Sequence, residues 1–198
     1  MIATLGVAIS VLALTVSAGT AWLTLFRRGR ILMTQPTVIY FGPDGSRFDQ
    51  ESRHQKIFFR TLLYSTGRRG HIVENMFASL RRGETRQNFN IWVYGDDDLR
   101  RGSGLFVPEG GTATNHHFLP PPEAEAFQFS SGHYVLEVFA TLVGSDQAQS
   151  LFVVHLDITE ETATMLRKDK SGLYFDWGPD AQRYNHSVKS PPAPKPEA

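Results

Sequence analysis

Two periodicities divide this chain. From Ile2 to Phe26 there is no charge and no polar face, only Leu, Val, Ala and Ile interleaved with small and hydroxyl residues. Beyond Arg30 the pattern changes to alternation at every second position, the period of a strand with one buried face. That alternation predicts strands at Thr37–Phe41, Ile57–Tyr64, His71–Leu80, Phe89–Tyr94, Leu105–Val107, Tyr134–Leu142 and Phe152–Ile158. In Phe89–Tyr94 the inward set reads Phe89, Ile91 and Val93, with Asn88, Asn90 and Trp92 on the other side. Ile57–Tyr64 is apolar on both faces except at Arg60 and Thr61, as a central strand would be. Turns follow at Gly42-Pro43-Asp44-Gly45 and at Arg81-Arg82-Gly83-Glu84. One short helix is predicted, with Thr159 as N-cap, Glu160 and Glu161 at the positive end of the dipole, and its end near Met165 to Arg167. A last β segment, Leu173–Trp177, precedes Gly178-Pro179.

These elements divide the chain into an apolar anchor with a basic flank (1–30), a mainly β antiparallel sandwich (31–188) and a disordered Pro-rich tail (189–198) with four prolines in ten residues. The uncharged run of 25 residues, Ile2–Phe26, would reach about 37 Å as a helix, enough to cross a hydrocarbon core of about 30 Å. Val16-Ser17-Ala18 resembles a signal-peptidase site, but no Lys or Arg precedes the run and apolar residues continue for eight positions beyond Ala18, so a retained single-pass anchor is the reading. Arg27, Arg28 and Arg30 follow the run at once, and the positive-inside tendency puts the β domain in the cytoplasm. Gly6, Ser10, Ala13, Ser17, Thr20 and Thr24 form a stripe of small residues, a seam for homodimer formation through the membrane helix.

The stretch Gly132-His133-Tyr134-Val135-Leu136-Glu137-Val138-Phe139-Ala140 resembles the G-x-Y-x-L-x-V-x-A strand of many immunoglobulin-like domains. The resemblance covers about 25 residues and implies a superfold, with Tyr134 making a structural corner contact and Phe152–Ile158 as the last strand of the sandwich. It implies no particular activity, because such folds host many unrelated roles.

Absence of cysteine excludes disulfides, thiolate metal centres and thiol catalysis. Net charge is zero but uneven: Arg27–Arg101 holds 14 basic against 8 acidic residues, and Gly102–Ala198 holds 6 against 12. A β fold interleaves its halves and averages such a difference. The sharper reading is a basic face beside the membrane, made by Arg68-Arg69, Arg81-Arg82 and Arg100-Arg101 if their turns share one edge. Near-neutral balance argues against nucleic acid as a partner.

His116-His117 is the most site-like dipeptide, a weak metal candidate with Asp96, Asp97 or Asp98 nearby; a polar turn with one histidine packed is the plainer reading. Arg100 and Arg101 follow the three aspartates and compete for them. Gly102-Ser103-Gly104 is too short for a nucleophile elbow, and no Gly-rich phosphate loop is present. Trp92 and Tyr94, with Trp177 and Tyr184, suggest an aromatic interaction surface; the preferred alternative packs Trp92 beneath residues 173–188. The expectation is therefore a membrane-anchored, non-catalytic interaction or accessory module, without cofactor, holding membrane lipid through residues 2–26 and another protein through its β domain. The alternative is a sensor of a small ligand or metal at the membrane surface.

Overall fold

The computed structural model describes residues 2–22, 29–44, 55–102, 104–124, 127–169 and 171–189. Thr24 of the small-residue stripe, Arg27, Arg28, Gly45, Ser103 and residues 190–198 of the Pro-rich tail lie outside them.

The apolar run forms α1 (Ile2–Ala21), 20 residues or about 30 Å, exposed from Thr4 to Thr20 and long and apolar enough to cross a membrane. Ser10 donates to the Gly6 carbonyl at 2.9 Å, Thr15 to Val11 at 2.8 Å and Thr20 to Val16 at 2.8 Å, so these three hydroxyls are satisfied one turn back.

The rest is two antiparallel sheets. In the larger, β2 (Val38–Pro43), β3 (Gln55–Ser65), β9 (Thr112–Leu119), β6 (Ile91–Tyr94) and β7 (Arg100–Arg101) are successive neighbours. The hairpin β12 (Gly172–Gly178) and β13 (Arg183–Lys189) extends it beyond β2, and β1 (Ile31–Met33) pairs with β3. The smaller sheet runs β11 (Gln149–Ile158), β10 (Gly132–Leu142), β4 (His71–Arg82), β5 (Thr85–Phe89), with β8 (Leu105–Val107) against β4. Both sheets draw strands from both halves of the chain, which interleaves the basic and acidic halves. Their inner faces share one core, including Ile39, Phe41, Ile57, Phe59, Val73, Met76, Leu136, Val138 and Phe175.

Thr159 caps α2 (Glu160–Asp169) by accepting from the Thr162 amide at 3.2 Å, as its sequence predicts. Tyr134, Leu136, Val138 and Ala140 are buried along β10, the alternation expected there.

Three expectations change. First, Phe89–Tyr94 is not one strand: the chain leaves the smaller sheet after Phe89 and enters the larger at Ile91. The crossing at Asn90 resets the phase, so Trp92 is buried while Ile91 and Val93 are partly exposed. Second, residues 112–117 form β9, not a polar turn; its inward positions Thr114 and His116 are polar and hide the alternation. Third, Leu173–Trp177 is not the last β segment, since β13 follows and pairs with it.

Candidate functional site

β9 sends adjacent side chains to opposite faces of the larger sheet. His116 points inward and is fully buried, while His117 points outward and packs against Phe58 with ring centroids 4.8 Å apart and the rings tilted by 46°. The two rings do not converge on one ion. The Trp92 indole N–H donates to His116 Nδ1 at 3.1 Å, and Phe59 and Phe118 flank the imidazole. Burial, with the neighbouring His117 adding to it, pushes His116 down to about 3; Nε2 has no hydrogen-bond partner among the described residues. His117 is lowered to about 4, by burial first and then by Lys56.

Trp92 is a core residue, not an interaction surface, and it does not lie beneath residues 173–188. It belongs to β6, separated from β12 by β9, β3 and β2. Tyr94 stacks on it at 4.7 Å. Asp96 pairs with Arg60 and accepts from the Asn115 amide at 3.2 Å; Asp98 meets Arg100 at 3.3 Å, the competition the sequence anticipates.

The three arginine pairs do not share an edge. Arg68-Arg69 lie in the β3–β4 turn and Arg81-Arg82 at the other end of β4, 12 residues or about 37 Å away. Arg100-Arg101 form β7, on the lateral edge of the larger sheet. Arg82 is engaged structurally, donating to the Ser131 carbonyl at 2.8 Å and lying over the Tyr134 ring.

Two other features concentrate chemistry. Along the outer face of the β10–β11 hairpin, His133 Nδ1 lies 2.8 Å from Asp157 and its Nε2 lies 3.0 Å from His155 Nδ1. Beside it, an open groove of about 730 Å³ separates β11 from the β12–β13 hairpin, lined by Val154, His155, Phe175, Trp177, Tyr184 and His186 among others. Trp177 and Tyr184 face each other across the hairpin, and Tyr184 donates to the Pro36 carbonyl at 2.6 Å. Burial raises the Tyr184 phenol to about 12, so it remains a donor at neutral pH.

β11 is a terminal strand of its sheet, paired among the described residues only with β10. From Leu151 to Ile158 it carries one formal charge, Asp157, and neither proline nor lysine, and Val153 is half exposed. Natural edges are usually blunted by such residues. No group of three or more metal-ligating side chains converges among the described residues. The fold and site define a two-sheet β protein with the terminal strand β11 above a groove and an apolar N-terminal helix. Comparison with family models, curated proteins and solved structures found no match to this chain.

Proposed function

We propose that this protein is a single-pass membrane protein whose β domain is a non-catalytic interaction module, receiving an extended segment of a partner protein along β11. The observation that carries it is the terminal position of β11 above the groove, with neither proline nor lysine from Leu151 to Ile158. An added strand would take the outward backbone groups of β11, and Trp177 and Tyr184 would receive alternate side chains. The anchor rests on α1, an apolar helix with no buried face, and Arg30 after it favours a cytoplasmic domain.

The sandwich itself is immunoglobulin-like in our reading. The order β2-β3-β9-β6 corresponds to A-B-E-D of that superfold, and β4-β10-β11 to C-F-G, with β12–β13 added beyond A. The Tyr134 hydroxyl donates to the Ser130 carbonyl at 2.8 Å and accepts from its amide at 3.0 Å, the corner contact of such domains.

The test is a photo-crosslinking residue at Val153 in the full chain within native membranes. A discrete heteromeric adduct, lost when His155 on the same edge is changed to Pro, supports the proposal; recovery of the uncrosslinked protein alone refutes it.

A second reading is favoured by the His133–His155 contact. With Asp157 accepting from His133 Nδ1–H, Nε2 keeps its lone pair. Two imidazole nitrogens at 3.0 Å suit one zinc or copper(II) ion at about 2.0–2.1 Å from each, leaving its other positions to water or a ligand. Titration calorimetry of the full chain with each metal alone decides it; no heat with either removes the reading.

A further inference from the structure

The chain enters the sandwich at one end. The Arg30 amide donates to Thr66 Oγ1 at 2.7 Å, and the Thr66 amide donates to the Arg30 carbonyl at 2.9 Å. Gly29 lies so close to Gly67 that a Cβ there would come within 2.1 Å of its backbone nitrogen. The β3–β4 turn is thereby tied to the entering chain. Seven peptide steps join Trp22 to Gly29, so the two are at most about 25 Å apart.

This same end exposes an apolar row. Phe106 of β8 is paired directly with Ile72 of β4, and the Val143 amide donates to the Ile72 carbonyl from the other side. Leu105 and Val73, one position inward, are buried, so Phe106, Ile72 and Val143 share the outer face, where they are 54%, 43% and 60% exposed. Single exposed apolar residues need no explanation, but three neighbours across three adjacent strand segments make a contiguous patch. Gly70 packs against the Phe106 ring, with φ +67° and room for no Cβ, since one would meet the Val107 carbonyl at 2.6 Å. That contact sets exposed Arg68 and Arg69 beside the patch. The acidic groups at this end are Glu74, Glu109 and Asp146; the basic ones are Arg30, Arg68 and Arg69, with Arg27 and Arg28 preceding in the chain.

We infer that this end of the sandwich lies on the bilayer that α1 enters, with Phe106, Ile72 and Val143 in the interface and Arg68 and Arg69 against anionic lipid phosphates. The inference rests on reading α1 as a membrane anchor. An apolar patch with an arginine rim, on a tether this short, meets a lipid surface at high effective concentration. Docking also orients the domain, leaving the Arg81–Glu84 turn farthest from the membrane.

Because the chain has no native cysteine, single-cysteine variants report position directly. The full chain carrying a bimane label at Leu12→Cys, Ile72→Cys, Val143→Cys or Glu84→Cys is reconstituted into phosphatidylcholine vesicles doped with phosphatidylserine and brominated lipid. Quenching is expected at Leu12, Ile72 and Val143 and not at Glu84. Arg68→Ser with Arg69→Ser should lower the docked-to-undocked ratio read at Val143 by roughly tenfold or more, with Leu12 unchanged. Leu12 quenched while Ile72 and Val143 stay as aqueous as Glu84 overturns the docking and spares the anchor. An unquenched Leu12 overturns both.

Discussion

The buried imidazole of His116 makes the stability of this fold acid-sensitive in a way that one substitution isolates. Folded, His116 titrates at about 3, because burial penalises its charged form; unfolded, it titrates near 6.5. Between those values the unfolded chain binds a proton that the folded chain refuses. Stability therefore rises with pH across that window: it is complete above about pH 6.5 and is lost progressively toward pH 3. At about pH 5 the loss from this one group is about 2 kcal/mol, which for a domain of this size lowers Tm by about 4–8 °C. His117 acts in the same direction but is partly exposed, so solvent screens its share, and the carboxylates add their own dependence. His116→Phe removes only the first contribution. At neutral pH the variant is expected to lose about 1–3 kcal/mol, because the Trp92 N–H is left without its acceptor, offset in part by removing the orphaned Nε2. The diagnostic quantity is the difference in Tm between wild type and variant, followed by near-ultraviolet circular dichroism of the full chain in detergent. That difference should shrink or reverse between about pH 7.5 and pH 5. Equal differences at both pH values would refute the buried, uncharged imidazole.

Tyr134→Phe deletes both hydrogen bonds to Ser130 and should cost about 1–3 kcal/mol in chemical denaturation; an unchanged midpoint would mean that the corner contributes nothing. Gly70→Ala forces a side chain into a left-handed backbone and against the Val107 carbonyl, and should destabilise by about 1–3 kcal/mol or more. Asp157→Asn should weaken any zinc or copper(II) binding by about tenfold or more in the same calorimetry, while His117→Ala leaves it unchanged; the reverse ranking would move the metal away from the β10–β11 hairpin.

What could be read from residue order was whatever depends on a local period. β10 and α2 were legible because their signals, Tyr134 through Ala140 and the Thr159 cap, are carried by neighbours in sequence. β13 was not, because an edge strand with mostly exposed side chains has no apolar alternation to show. Trp92 was misplaced by a phase error: reading one continuous strand through Asn90 assigned its indole to the wrong face, and only the transfer between sheets corrects it.

The same logic explains why His116-His117 drew attention and His133, His155 and Asp157 did not. Adjacency in sequence suggested a shared site, yet in a strand adjacent residues are driven to opposite faces. Residues 22 and 24 positions apart are brought together instead by the β10–β11 register, which sets His133 opposite Asp157 and Val135 opposite His155. A shift of one residue in that register would turn all three groups to other faces or partners. The exposed apolar row has the same origin: Phe106, Ile72 and Val143 are single apolar residues in three distant segments, and it is strand pairing that makes them one surface. In a β sandwich, chemistry is assembled across strands, so register, more than motif, decides where this protein can bind.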